Sequence, residues 1–471
     1  MDPMVTYPYG AVDGNRMAAV YDVLVWSDPA TGIVRPQLAD SFTSADGGRT
    51  WILRLRAGIT FSDATPLDAE AVRFNWERHH DVTNHSLQYP ATVDITSLQV
   101  TDPLTLRVVL SRPNANFDRI VARQLSFVGS PTAIRSDPVG VGRKPVGAGP
   151  YMLTDWAADG KQVYVRNPGY WQRDRGLPRF ERLTMEVDPD AGHTADEVSA
   201  GRLDMSVMFA PDGVARAAER RLAVDQIHLD GGAMLMFNTV ATPFGDPNVR
   251  KAVVLALSGA DLNNTYFKGA GAVAHGIFSA ASPVANGQLV MTENDPEQAR
   301  ALFAQITADG KRRLPFVMVV PNTPTLVKVA EHIRDVLNRF PGVDAQIQAA
   351  DAVDFIRTVR KGDWTWNAAL TQQWFSDPEP GVYDFLYSAS STNLTGYANP
   401  AVDKALDNAR ATVDLVARRE AYTAVQMELN RDFPVWVYQE SQAAAVSSPS
   451  IGGVELCDDG IVMWDRLERR V

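Results

Sequence analysis

His79, His80 and His85 form the densest group of metal-ligating side chains in this sequence, and their spacing does not suit a metal. Adjacent histidines cannot share one helical face, and no glutamate stands where a His-Glu-x-x-His zinc pattern needs it. Cys457 is the single cysteine, so neither an intramolecular disulfide nor a multi-cysteine metal site can form, and an inert thiol is expected. Nucleophile and phosphate motifs are also missing: there is no Gly-x-Ser-x-Gly elbow, Walker loop or dinucleotide fingerprint. Gly147-Ala148-Gly149 runs into Pro150, which lacks the amide that a bound phosphate would require. These residues predict no catalysis, no metal and no cofactor.

What remains that could hold a ligand is aromatic and charged. Trp364 and Trp366 flank one residue, so on a strand both indoles share a face, lining a cleft or packing a core. Arg357, Arg360 and Lys361 could meet the carboxylates of a ligand or form a solvated helix face, as such charge runs usually do. Asp377 precedes Pro378, and on its own an Asp-Pro pair favours a turn.

The elements that must position these residues are legible from pattern. Trp51 to Arg56 alternates apolar and polar residues as a half-buried strand does, after a hairpin turn at Asp46-Gly47-Gly48. Residues 65–70 place a cap and early acids ahead of a helix from Ala71 to about His79. A strand covers 104–110, and a glycine-rich connection at 145–151 enters a β-region. A short apolar strand covers 234–237, and helices cover about 248–257 and 325–340. Another helix opens at Asp295-Pro296-Glu297, with proline in its first turn and acids near the positive end of the helix dipole. Strand 315–320, a helix over about 417–430 and strand 435–438 complete an alternation of β and α that predicts a mixed α/β protein in two lobes.

At 471 residues the chain exceeds one ordinary core. Its formal net charge of −11 would repel nucleic acid and anionic membrane, so neither is expected as a partner. No apolar run is long enough to span a bilayer, and the first residues show no basic and apolar export pattern.

Several blocks, taken in order, resemble the extracellular solute-binding proteins of family 5, which serve dipeptide, oligopeptide and nickel ABC importers. They are residues 34–42 (VRPQLADSF), 46–51 (DGGRTW), 53–61 (LRLRAGITF) and 63–72 (DATPLDAEAV), then 145–151 (PVGAGPY) and 166–171 (RNPGYW). Residues 237–252, from FNT through PFGD to VRKA, follow, then 295–302 (DPEQARAL) and 374–378 (WFSDP). The resemblance spans nearly the whole chain. It implies a periplasmic-binding-protein-like (type II) clamp: lobe one over 1–235 with an extra subdomain at about 41–145, lobe two over 236–440, and a return of 441–471 to lobe one. It also implies an extracytoplasmic protein, lipid-anchored in a longer precursor and monomeric, that delivers a short peptide or related small solute to ABC-transporter permease subunits. A non-peptide solute (a nickel chelate, a sugar-like molecule or a modified peptide) and a scaffold repurposed for cell-envelope regulation are the alternatives.

The same resemblance assigns ligand-binding residues. Asp377, three residues after Trp374, matches the aspartate that clamps the ligand amine, with Trp374 and Phe375 in the wall of the site. Trp364 and Trp366 join them as lining candidates. Thr371 stands where an oligopeptide-binding member can carry an arginine for ligand carboxylates, and the stretch after Asp377 is one residue shorter than usual. Both departures loosen any expectation of a fixed peptide length. Tyr7 and Tyr9 lie in the N-terminal segment that reaches the ligand in relatives, where they pair with peptide backbone or belong to a loose tail. Asn238 is expected to make a hinge hydrogen bond.

Overall fold

Gly47 and Gly48 turn the chain with φ of 70° and 88°, and a Cβ at Gly48 would meet the Asn114 backbone at 2.2 Å. Glycine alone takes that turn without strain. Strand Thr50–Leu55 then returns antiparallel to Ala39–Ser44 and pairs on its other edge with Thr105–Leu110, beside Ile95–Asp102. Helix Ala69–His80 is capped by Asp68, whose side chain accepts the Ala71 N–H, and starts two residues earlier than expected. Its Val72 and Trp76 pack with Phe42, Trp51, Leu53 and Phe117 into one core.

The computed structural model of the chain describes residues 1–188, 190–359 and 365–470. The chain divides into two compact units, one of residues 1–227 with 442–471, the other of residues 228–441. It leaves the first unit within strand Ala223–Phe237 and returns within strand Val435–Ser447. In the first unit the sheet just described is joined by a three-stranded antiparallel sheet, Tyr151–Trp156, Gln162–Arg166 and Arg182–Met185. Met205–Met208 pairs antiparallel with residues 444–447.

In the second unit the sheet order is Val435–Ser447, Ala223–Phe237, Ala368–Phe375, Leu314–Pro321, Val343–Ala350. Leu314–Pro321 runs parallel to both neighbours, and Ala223–Phe237 runs antiparallel to Ala368–Phe375. Alternation along these strands sorts side chains to two cores. Leu235, Phe237, Phe316, Met318 and Leu370 face helices Pro247–Ala256, Pro296–Thr307 and Pro324–Leu337. Met234, Met236, Val319, Ala369 and Phe375 face helices Pro378–Leu386, Pro400–Arg410 and Leu415–Asp432. No helix among the described residues is long and apolar enough to cross a membrane.

Candidate functional site

In the second unit, strand Ala368–Phe375 ends just before Asp377, which caps helix Pro378–Leu386. Its Oδ1 accepts the Glu379 N–H at 2.9 Å, and Pro378 fills the first helical position, where a missing amide costs nothing. The same carboxylate meets Arg418 of helix Leu415–Asp432, which donates through both terminal nitrogens, Nη1 at 3.3 Å from Oδ2. Asp377 is 7% exposed and Arg418 2%. Burial works against the Arg418 charge, but Asp377 and Tyr422 outweigh it and hold the guanidinium firmly protonated.

A second buried pair lies two residues on. Arg410 of helix Pro400–Arg410 meets Glu379 at 2.6 Å and stacks on the Tyr383 ring, 3.3 Å from its centroid. The 377–380 segment is thus clamped by two helices, and each buried charge has an opposite charge beside it, the condition for keeping it charged.

Asp230 lies across from this pair. On strand Ala223–Phe237 it stands opposite Phe375 in register, and it is 4% exposed. It accepts the Ser279 N–H at 2.9 Å and the Ser282 hydroxyl at 3.1 Å. Burial, with repulsion from Asp377 and Glu440, pushes its carboxyl up to about 8. Glu440 accepts the Ser279 hydroxyl and the Ala280 N–H, both at 2.8 Å, so loop 279–282 is tied to both strands. Gly231 and Gly232 keep this strand close to its neighbours: a Cβ at Gly232 would lie 2.3 Å from the Gln439 carbonyl oxygen.

The sequence candidates are dispersed relative to this cluster. Trp374 and Thr371 are half-buried on strand Ala368–Phe375, opposite Gly231 and Met234. Phe375 is buried against Phe385, with ring centroids 6.0 Å apart. Of the two places expected for Trp366, lining or core, the structure shows the core: it is 2% exposed and packed among Met234, Met236 and Tyr397. Trp364, Arg360 and Lys361 lie outside the described residues. Arg357 is exposed and pairs with Asp354 one turn away. Asn238 is fully buried: its amide donates to the Trp366 carbonyl, and its oxygen accepts the N–H groups of Val240 and Ala241. His79 is buried beside the Ser86 hydroxyl at 2.8 Å, and burial pushes its pKa down to about 4.

In the first unit the N-terminal segment is tied down and is no loose tail. Asp2 meets Arg78 at 2.8 Å, the Tyr21 hydroxyl donates to the Met1 carbonyl, and Gly10 N–H donates to Asp459. Tyr7 and Tyr9 stack 5.9 Å apart, and Arg123 sits 4.4 Å over the Tyr9 ring, 3.6 Å from Asp459. A Cβ at Gly10 would lie 2.6 Å from the Gly460 backbone. Gly10→Ala is therefore expected to cost about 1–3 kcal/mol by overpacking and to open the segment to limited proteolysis. An unchanged digestion pattern would contradict this anchoring.

Arg418, Arg410, Asp230, Ser279 and Glu440 were not among the sequence candidates. One signal was available: Arg418 falls on the same helical stripe as Tyr422, Val425 and Leu429, all buried. A charge inside an apolar stripe implies a buried partner.

A profile of the bacterial extracellular solute-binding proteins, family 5 (middle region), matches residues 34–393. The glutathione-binding protein GsiB of Shigella flexneri serotype 5b is 27% identical over 417 residues, covering 85% of this chain and 79% of that protein. GsiB of Salmonella paratyphi A is 27% identical over 421 residues, covering 86% and 80%. Among solved structures, the oligopeptide-binding protein AppA of Bacillus subtilis with a nonapeptide superposes with TM-score 0.84 at 17% identity, covering 100% of this chain and 96% of AppA. The ABC transporter-associated periplasmic binding protein DppA of Helicobacter pylori, with peptide STSA, gives TM-score 0.84 at 20% identity, covering 99% and 95%. At these identities the likeness is one of fold, that of the type II periplasmic binding proteins.

Proposed function

This chain belongs to family 5 of the bacterial extracellular solute-binding proteins, and on that premise we propose that it captures short peptides for an ABC importer. The reading includes delivery to permease subunits by a monomer held outside the cytoplasm by a lipid anchor. One observation supports the solute class: Asp377, after Trp374, is a buried carboxylate held in place by its own helix start and by Arg418. A peptide's free ammonium needs such a partner, because an unpaired charge out of water is costly.

Glutathione is the second reading, favoured by the relatives that bind it. Its γ-glutamyl end carries an ammonium and a carboxylate on one carbon, chemistry that an aspartate–arginine pair matches.

Mass spectrometry of small molecules released on denaturing the purified protein tests both. A ladder of peptides with free N-termini supports the first reading, glutathione or its conjugates the second, and a solute without an amine contradicts both. Asp377→Asn keeps the helix cap and removes the charge. It is expected to weaken peptide binding by about 2–5 kcal/mol in calorimetry, and an unchanged affinity would remove Asp377 from the site.

A further inference from the structure

Helices Pro247–Ala256, Pro296–Thr307 and Pro324–Leu337 lie on the sheet face opposite the helix that Asp377 caps, and they border a cavity of about 290 Å³. Its apolar wall is made by Leu257, Leu262, Val336 and Phe340, with Trp436 of strand Val435–Ser447. Trp436 is fully buried and its indole N–H donates to Glu293 at 2.6 Å, so it offers the cavity only carbon. Ser258 and Asn294 are the neutral polar members of the lining.

Two exposed arginines, Arg300 and Arg339, also line this cavity. Each has a carboxylate at helical spacing, Glu297 three residues before Arg300 and Asp335 four before Arg339. Neither pair forms: Asp335 meets Arg334 at 2.7 Å, and among the described residues Arg300 and Arg339 make no ion pair or side-chain hydrogen bond. Asp261 is the lining carboxylate, exposed and likewise outside any ion pair among the described residues. Two guanidinium charges against one carboxylate leave an excess of one positive charge. His332 lines the cavity too, its ring edge-on to Tyr266 with centroids 5.7 Å apart.

An apolar wall beside one unbalanced positive charge suits a ligand divided the same way, with a flat apolar body and a single carboxylate. The planar guanidinium fork matches that head group. A phosphate monoester would carry a second negative charge toward Asp261, and an amine would meet two arginines, so both fit less well. The volume is at the small end for ligand sites and suits one or two rings. We propose that this cavity is a second binding site, for small aromatic monocarboxylates, separate from Asp377 and independent of the peptide-binding reading.

Saturation-transfer NMR on the full chain tests the site, with phenylacetate and its neutral isostere phenylacetamide as probes. Phenylacetate is expected to bind with a Kd below about 1 mM and about tenfold more tightly than the amide. Arg300→Gln with Arg339→Gln is expected to abolish that preference and to leave the melting temperature unchanged, since both side chains are exposed. Equal binding of acid and amide overturns the proposal. So does a preference that survives in the double variant, which would put the carboxylate elsewhere, or a wild-type Kd for phenylacetate above about 1 mM. If the double variant does not fold, the wild-type comparison of acid with amide decides. None of these outcomes bears on peptide capture, which the solutes released on denaturation test separately.

Discussion

Arg418→Ala is expected to destabilise the protein by about 3–5 kcal/mol, because it takes away the buried cation that donates twice to the Asp377 carboxylate. Arg418 is 2% exposed, donates twice to Asp377 and packs beside Tyr422, its guanidinium carbon 5.6 Å from the ring centroid. Removing the cation also leaves a cavity at the buried stripe of helix Leu415–Asp432. The double substitution Asp377→Leu with Arg418→Met is expected to recover most of the loss, since the pair's desolvation cost disappears with the pair. Urea denaturation followed by circular dichroism reads both. A single-variant loss below about 1 kcal/mol would mean that the pair is solvated and not structural. The contrast with Asp377→Asn is informative, since that variant keeps the helix cap and leaves the arginine, not the carboxylate, without its partner charge.

Stability is expected to fall as pH rises from about 4 to about 8, opposite to the acid lability set by exposed ion pairs. Three buried carboxyls drive this: Asp22 and Asp458 are each pushed up to about 7 by burial, and Asp230 to about 8. Asp22 also repels Asp465, and the Gln37 amide donates to both, 3.5 Å from one and 3.4 Å from the other. Tyr170 and Trp171 donate to Asp22 at 2.9 and 3.1 Å, and Gln172 donates to Asp465 at 2.8 Å.

A raised pKa means that the folded state keeps a proton which the unfolded chain has already lost. The folded state therefore binds more protons between the two pKa values, and stability declines through that window. The contribution is fully present below the unfolded value of 3.8 and is gone above about 7 for Asp22. For Asp22 alone this amounts to about 4 kcal/mol. Asp465→Asn keeps an acceptor for Gln172 and can donate toward Asp22, so it is expected to raise the melting temperature at about pH 8 and flatten the profile. A profile as steep in Asp465→Asn as in the wild type would show that the two carboxyls do not titrate together.

Most helices and strands of this chain were legible because their signals are local. Helix Pro296–Thr307 starts at Asp295, its side chain accepting the Gln298 N–H, as the Asp-Pro-Glu opening predicts. Strand Leu314–Pro321 and helix Pro324–Leu337 follow their apolar patterns to within a few residues. Strand Ala223–Phe237 was legible only at its end, where residues 234–237 read as a strand. Gly231 and Gly232 stay within the strand at φ of 89° and 136°, where the neighbouring backbone also leaves no room for a Cβ, so glycine is required at both.

The candidate site divides along the same line. The blocks that mark the family, and Asp377 within them, are short contiguous motifs, so the sequence by itself determined the family, the mixed α/β fold and one candidate ligand residue. That Arg418 closes on Asp377, that Asp230 stands opposite Phe375 without a cation, and that Trp366 packs inward were decided only by the tertiary structure. Each depends on residues tens to more than a hundred positions apart. The charge state of a buried carboxyl is set by which donors and cations those distant segments bring beside it, and no local pattern encodes that.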